Sequence, residues 1–218
     1  MIDKNKLLDQ TAALVLKLLN EKGQTLVSKR SLNSPRAIGD AVQAFLSERG
    51  GLMNCVPSNK LLSFESDFER RSMEDMAFYD KDQQYYAVDC KTHNLSTVFN
   101  MPNLISVRQL ANFYRNDSNT FCILIVAYNV EDNRIRYDNC FFKPIEAFSW
   151  DCLTIGALGW GQIQIANANI LKFSPAPNRK KWMLQLCNNL EQFYDEEIAK
   201  IGERKQWFND IKDYWQNK

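Results

Sequence analysis

One short run of residues places the strongest constraint on the fold of this chain. Phe121-Cys-Ile-Leu-Ile-Val-Ala-Tyr128 is almost continuously apolar and rich in β-branched residues. Such a run is typical of a central strand whose two faces are both covered by other layers. Helical and strand-like segments surround it, which favours an α/β sandwich built on a mixed sheet. With 218 residues and 45% hydrophobic content, the chain can bury one substantial core, and we expect one domain over residues 1–218.

Two amphipathic helices are predicted at the beginning of the chain. Residues 6–21 repeat apolar side chains at helical spacing, and Ser34-Pro35 supplies a cap and a first-turn proline for a second helix, which Gly50-Gly51 ends. The apolar stripe of the second helix leaves Asp40 off its centre. Asp40 can therefore reach a neighbouring site.

Residues 73–79 and 84–92 are predicted to form adjacent strands. Residues two apart in a strand share a face, so Asp89 and Lys91 point the same way while Cys90 points into the opposite layer. If the earlier segment pairs antiparallel with this strand, Asp75 returns to the same place. Glu74 is the alternative upstream acid, because a bulge would exchange the two faces. The turn between the strands, Asp80-Lys81-Asp82, is expected to be solvated.

The remaining elements are predicted from periodicity and turn signals. A polar loop over residues 93–103 precedes a helix over 106–114, and residues 134–142 form the hairpin partner of the central strand, with the turn at 131–133. Short strands are predicted at 152–155 and 161–165. Two helices, near 180–201 and 204–215, close the chain.

Charge and cysteine usage exclude several classes of protein. Twenty-seven basic and 26 acidic residues leave a formal charge of +1, so composition gives no sign of general polyanion binding, and Lys29-Arg30, Arg70-Arg71 and Arg179-Lys180-Lys181 are interpreted as solvated clusters. Six cysteines without close pairs and a single histidine argue against a zinc site or a disulfide framework. Without a signal-peptide-like segment or a membrane-length apolar run, we expect reduced thiols and a cytoplasmic protein.

The acid, the Asp89-Cys90-Lys91 strand and the order of the surrounding elements resemble the PD-(D/E)xK nuclease superfamily. Val88-Asp-Cys-Lys-Thr-His-Asn94, followed by Phe99-Asn-Met-Pro-Asn-Leu-Ile105, is similar to Type II restriction endonucleases. The family's proline before the first acid is absent, because Met73 and Glu74 precede Asp75. The resemblance implies a restriction-endonuclease-like sandwich with a catalytic core at about 35–130. Residues of about 131–218 would then serve DNA recognition or dimerisation.

The resemblance also implies a sequence-specific endonuclease that hydrolyses double-stranded DNA with Mg²⁺. Magnesium prefers oxygen ligands and takes one or two protein carboxylates, so Asp75, Asp89 and the backbone carbonyl of Cys90 are the candidate ligands. Lys91 would orient the attacking water or help to deprotonate it. Asp40 is the candidate auxiliary acid on the preceding helix.

Amide side chains are the candidates for reading base edges, because Asn and Gln pair with bases in the major groove. They lie just after the Asp89–Lys91 strand and on a possible ribbon near residue 165. An ordinary half-exposed strand is the alternative for the second group. His93, past the strand, is interpreted as a hydrogen-bonded loop residue or a DNA contact in preference to a general base. The DNA-reading candidates are Asn94, Asn100, Asn103, Gln162, Gln164, Asn167 and Asn169.

Cleavage of both strands at a symmetric site requires a two-fold homodimer. The C-terminal aromatics Trp182, Phe193, Trp207 and Trp215 are a candidate interface, with a core role as the alternative. A cognate DNA methyltransferase is expected only as a genetic partner. Two other functions compete: a repair or recombination nuclease of the same superfamily without sequence specificity, and a DNA-binding protein whose acids are structural.

Overall fold

The structure, a computed structural model, describes residues 2–69 and 72–218, so the predicted basic pair Arg70-Arg71 lies outside the described residues. Five α-helices lie within the described ranges. They are α1 (Lys4–Lys22), α2 (Pro35–Ser47), α3 (Leu52–Cys55), α4 (Val107–Phe113) and α5 (Arg179–Gln216).

The described ranges also contain eight strands in two sheets. They are β1 (Leu61–Glu65), β2 (Met76–Asp80), β3 (Tyr85–Asn94), β4 (Asn103–Ser106), β5 (Asn119–Glu131), β6 (Arg134–Pro144), β7 (Leu153–Gly156) and β8 (Gln162–Ile165). The larger sheet has the order β1-β2-β3-β5-β6, and the smaller one the order β4-β8-β7. Strands β3 and β5 run parallel and the other pairs antiparallel, so the central sheet is mixed, as predicted.

The large sheet separates two apolar cores. One face carries Val88 and Leu124 and packs against side chains of α1, α2 and α3. The opposite face carries Ala87 and Ile123 and is covered by α4, the small sheet and the beginning of α5. The chain therefore has the predicted α/β architecture, with helices on both sides of a mixed sheet and a second sheet added on one side. The large sheet is not confined to the expected core of residues 35–130, because its edge strand β6 comes from the segment after residue 130.

Local signals located several element boundaries correctly. The Ser34 side chain accepts a hydrogen bond from the Ala37 amide, as expected of the cap of α2. The β5–β6 turn contains Asp132 and Asn133 at φ values of 49° and 58°. These left-handed conformations suit a tight hairpin, and Asp and Asn tolerate them better than most residues.

The C-terminal part differs from the prediction of two helices. Residues 179–216 form the single helix α5, which is about 57 Å long at the usual rise per residue. The predicted break fell at Gly202, a residue that weakens a helix without ending it. From Ile198 to Lys218 every residue is exposed. This outer half of α5 is called the arm below.

Arg179, predicted to lie in a solvated basic cluster, instead anchors the start of α5. Its Nε donates to Glu146 Oε1 at 3.0 Å, and its guanidinium lies over the Tyr114 ring at 4.2 Å from the centroid. The Tyr114 hydroxyl donates to the other Glu146 oxygen at 2.6 Å. Because Glu146 is buried, this pairing satisfies a carboxylate that would be costly if left alone.

Short strands β1 and β4 were not predicted; β1 pairs with the next strand, β2, whereas β4 pairs with β8, which is distant in sequence. The predicted loop over 93–103 is also shorter, because His93 and Asn94 still belong to β3. Among the described residues, no helix has both the length and the apolar character needed to cross a bilayer.

Asp80 was predicted to be solvated, and this was wrong. It is the last residue of β2 and is fully buried. Its Oδ1 accepts from the amides of Asp82 and Gln84, and its Oδ2 accepts from the Tyr86 hydroxyl at 2.9 Å. The carboxylate thus closes the β2–β3 turn from inside.

Asp80→Ala is expected to lower the free energy of unfolding by at least about 3 kcal/mol, because it leaves two amides and a buried hydroxyl without their acceptor. Urea unfolding measures the loss. Asp40→Ala, which removes an exposed carboxylate, is the matched control and should change stability by less than about 0.5 kcal/mol. Equal midpoints for the two variants would contradict this role of Asp80.

Candidate active site

Strand β3 brings Asp89 and Lys91 to the same face of the large sheet. Lys91 Nζ lies 2.6 Å from Asp89 Oδ1. Asp89 is only 6% exposed, and its second oxygen, Oδ2, has no hydrogen-bond partner among the described residues. Cys90, between them, points into the opposite core, as the strand alternation predicts. One carboxylate oxygen thus remains buried and unsatisfied beside an ammonium group.

Asp75 reaches this place from the segment before β2. Its amide donates to the carbonyl of Val88 at 2.9 Å, and its Oδ2 accepts from the Cys90 amide at 2.7 Å. Met76 pairs with Val88, so Asp75 stands next to Asp89 across the ladder. Of the two predicted alternatives, the structure therefore brings Asp75 to the Asp89–Lys91 strand. Glu74 instead accepts a hydrogen bond from the Tyr85 hydroxyl at 3.2 Å.

Asp40 forms no hydrogen bond or ion pair with Asp75, Asp89 or Lys91 among the described residues, so its auxiliary role stays a prediction without structural support. Its exposed carboxylate lies 3.8 Å from Arg36, one turn earlier on α2. Gln43 takes the helical position instead, since its Nε2 donates to Asp75 Oδ1 at 2.7 Å. A Cβ at Gly39 would lie 3.1 Å from Thr92 Oγ1, so α2 approaches β3 closely one turn before Gln43. In the sequence, the only indication of this contact was a glycine that permits close packing, Gly39, followed four residues later on the same helix face by a polar residue, Gln43.

Burial sets the electrostatics of the two acids. It raises the pKa of Asp89 to about 7, with Lys91 opposing the rise and Asp75 adding to it. Burial also raises the pKa of Asp75, although the Cys90 amide and Lys91 oppose it. For Lys91, burial lowers the pKa, but the charge and hydrogen bond of Asp89 outweigh it and the net pKa is raised. Lys91 therefore stays charged. Its single positive charge is too little for both neighbouring acids to ionise easily.

The donor set suits a hard divalent cation. Asp75 and Asp89 supply carboxylate oxygens, and Asp89 Oδ2 has no protein donor among the described residues. The carbonyl and amide of a strand residue point to the same side, so the Cys90 carbonyl faces the edge where its amide meets Asp75. No group of three or more His, Cys, Asp or Glu side chains within the described ranges could hold a metal ion. Magnesium needs fewer, because it retains several waters.

His93 lies on β3, on the same face as Lys91, and is buried. Its Nε2 lies 2.8 Å from Asn169 Oδ1. The Asn169 Nδ2 donates to the carbonyls of Thr97 and Val98, each at 3.0 Å. Asn169 was predicted to read bases, but its amide is already engaged with three protein groups and holds the loop after β3.

The two groups of predicted DNA-reading residues come together in space. The Ala168 amide donates to the Asn100 carbonyl at 2.8 Å, and the Ile165 amide to the Pro102 carbonyl at 3.1 Å. Asn103 Oδ1 accepts from Gln164 Nε2 at 2.5 Å. The loop after β3 and the segment after β8 therefore form one unit beside the acids.

Within this unit the amides differ in what they contact. Gln162 and Gln164 alternate along β8 with the buried Ile163 and Ile165, so both amides face away from the core. Asn94 and Asn167 accept hydrogen bonds from residues two positions later and so stabilise turns. Gln162 and Gln164 are the amides best placed to meet another molecule.

Comparison with protein-family models and with curated proteins found no match. The assignment of a family to this chain stays a prediction. The acids, the lysine and the neighbouring amides must therefore support a function by their own chemistry.

The raised pKa of Asp89 makes the metal-free protein sensitive to pH. The pKa of an aspartate carboxyl in the unfolded chain is about 3.9, whereas the pKa of Asp89 in the folded protein is about 7. Between these values the folded state binds more protons, so its stability falls as pH rises. In EDTA, the melting temperature is expected to fall between pH 5 and pH 8, and Asp89→Asn should reduce that fall. Asp40→Asn is the control that should retain it. Identical pH profiles for wild type and Asp89→Asn would contradict the prediction.

Proposed function

We propose that this protein is a Mg²⁺-dependent endonuclease that hydrolyses phosphodiester bonds of double-stranded DNA at specific sequences. Under this proposal its α/β sandwich is of the restriction-endonuclease type. The observation that supports it most is the buried Asp89 oxygen that has no partner among the described residues, on a carboxylate beside Lys91 and next to Asp75. A structural ion pair needs no second acid and leaves no orphan oxygen.

Each residue has a definite part in the proposed reaction. Asp75, Asp89 and the Cys90 carbonyl would hold Mg²⁺, and the ion would supply neutralisation of phosphate charge and a lowered pKa of its water. Gln43 fixes the orientation of the Asp75 carboxylate through its 2.7 Å hydrogen bond. Lys91 keeps its positive charge beside the acids, and its side chain is 27% exposed, so it can meet the scissile phosphate and orient the attacking water.

Sequence specificity is the part of the proposal supported by the small sheet. Gln162 and Gln164 present amides on the outward face of β8, and Asn103 pairs with Gln164. Amide side chains of this kind form bidentate contacts with base edges. A repair or recombination nuclease would share the acids and the lysine, and a plasmid digest separates the two, since discrete bands support sequence specificity and a smear opposes it.

Catalysis is tested by single substitutions. Asp75→Asn, Asp89→Asn and Lys91→Ala should each reduce DNA cleavage in Mg²⁺ by at least about 100-fold. Binding to the same DNA in Ca²⁺, measured by gel shift, should be retained. Unchanged cleavage in these variants would overturn the proposed roles of the acids and the lysine, whereas a wild-type protein that binds DNA without cleaving it in Mg²⁺ would support the competing DNA-binding protein.

Two neighbouring positions on α2 provide a matched pair. Gln43→Leu should lower cleavage by about 10- to 100-fold, because it releases the Asp75 carboxylate. Asp40→Asn, three residues away and exposed, should leave the rate unchanged. Titrating Mg²⁺ shows whether the loss in Gln43→Leu comes from weaker metal binding. A loss with Asp40→Asn but not with Gln43→Leu would reverse the assignment of the helical residue.

A homodimer is proposed through the arm of α5. The predicted aromatics divide, since Trp182 is buried in the core whereas Trp207 and Trp215 are exposed. Along the arm, Ile198, Ile201, Phe208, Ile211 and Trp215 recur at spacings of three, four and seven, which suits helix pairing. Charges of both signs accompany the stripe, with Lys200, Arg204, Lys205 and Lys212 interspersed with Glu203, Asp210 and Asp213. A second arm can therefore pair with them through opposite charges.

The arm is tested by a substitution that changes charge without shortening the chain. Phe208→Glu places a carboxylate in the apolar stripe and should shift the protein toward the monomer in analytical ultracentrifugation. Asn209→Glu adds the same charge off the stripe and should leave the dimer intact. A wild-type protein that sediments as a monomer at all concentrations would overturn the dimer.

A further inference from the structure

A cleft opens on the sheet beside the candidate active site, and its position follows from the strand register. Ile125 pairs with Lys91, and Ala127 pairs with His93. Both residues lie in the floor of the cleft, together with His93, Asn139 and Phe141. Leu95 and side chains between Ala168 and Phe173 form its walls. The cleft therefore begins directly next to Lys91, about 7 Å along the strand from Asp89.

The size and lining of the cleft suit a flat organic ring. Its volume is about 520 Å³, within the range of pockets that hold small ligands. The rings of Phe141 and Phe173 lie 5.4 Å apart, so the lining provides aromatic surface for stacking. Asp138 and Asn139 add polar groups to this lining.

One buried group in the cleft lacks a partner. Asn169 Nδ2 donates to two carbonyls, so its Oδ1 faces His93, and the His93 Nε2 at 2.8 Å must be the donor. In the neutral imidazole the other nitrogen is then an acceptor. That nitrogen, Nδ1, is buried and has no partner among the described residues. His93 lines the cleft, and its unsatisfied Nδ1 is an acceptor that a ligand N–H group could satisfy once the side chains that cover it move aside.

The loop at the mouth of the cleft has an apolar tip. Val98 is 91% exposed and Phe99 56% exposed, and Leu95 and Met101 are exposed as well. The backbone of this loop is fixed, because the carbonyls of residues 97, 98, 100 and 102 accept hydrogen bonds from residues 165–169. The sequence carries no Asp, Glu, Lys or Arg from Thr92 to Val107. Such a tip is unsuited to phosphate contacts and suited to stacking on bases.

We propose that the His93 cleft receives one nucleobase turned out of the DNA duplex next to the cleaved bond, while Phe99 fills the place that this base leaves in the stack. The inference rests on the proposed function, because it takes duplex DNA as the substrate. An adenine or cytosine fits the acceptor of the cleft, since its amino group can donate to His93 Nδ1. Enzymes that extrude a base stack it between apolar side chains in a pocket of this kind.

Chemical probing of unpaired bases tests the proposal. The protein is bound in Ca²⁺ to a DNA fragment that it cuts in Mg²⁺, and the complex is treated with chloroacetaldehyde, which reacts with the Watson–Crick edges of unpaired adenine and cytosine. The expected result is one reactive base beside each cleavage position. Phe99→Ala should reduce this reactivity at least fivefold, while Leu62→Ala, of similar exposure but on the distant edge strand β1, should leave it unchanged.

A second variant fills the cleft. Ala168→Trp places an indole where the base would lie, and it should likewise reduce the reactivity at least fivefold, with circular dichroism as the check of folding. Protection and cleavage of the DNA without a reactive base would overturn this inference and leave the nuclease proposal standing. Unchanged reactivity in both Phe99→Ala and Ala168→Trp would also overturn it. Absence of any protection in Ca²⁺, with no cleavage in Mg²⁺, would overturn both proposals.

Discussion

The parallel pairing of β3 with β5 is the constraint on which the rest of the structure depends. It runs from Tyr85–Asn119 to Asn94–Tyr128 without a register shift and is the one parallel pair among the described strands. Since parallel neighbours need a long crossover, the chain must leave the sheet after β3 and return before β5. That excursion carries β4 and α4 across one face. It thereby contributes to the second core and brings the loop after β3 against residues 165–169.

The elements that could be predicted are those whose signal is local. The apolar run of β5, the cap of α2 and the alternation of Asp89, Cys90 and Lys91 are each set by near neighbours, and all appear in the structure. The pairing of Asp75 with β3 followed from hairpin geometry. Function, metal, DNA and dimer remain predictions that rest on the resemblance and on the chemistry of these side chains.

The errors share a physical cause: polar side chains bind partners that the hydrophobic pattern does not predict, several of them distant in sequence. Asp80 turned inward because Tyr86 and two amides meet it there, and Arg179 found Glu146 across the fold. Asn169 binds His93 and the loop after β3, more than 70 positions earlier in the chain. None of these contacts leaves a periodic trace in the sequence. Gln43 was missed because its contact with Asp75 depends on how α2 packs on β3. That packing is close at Gly39, and it is not visible in the sequence.

The two halves of α5 are expected to unfold with different cooperativity, because only the first half packs against the core. The first turns of the helix share the core through Trp182 and Leu186, whereas every side chain from Ile198 onward is exposed. The arm is therefore stabilised mainly by its own hydrogen bonds, and such a helix has little stability in water because most helical stability in proteins comes from tertiary packing. Its amides should exchange with solvent through local opening, independently of global unfolding. Hydrogen exchange in the arm then becomes a measure of association, because a second helix packed against it would couple its opening to the concentration of protein.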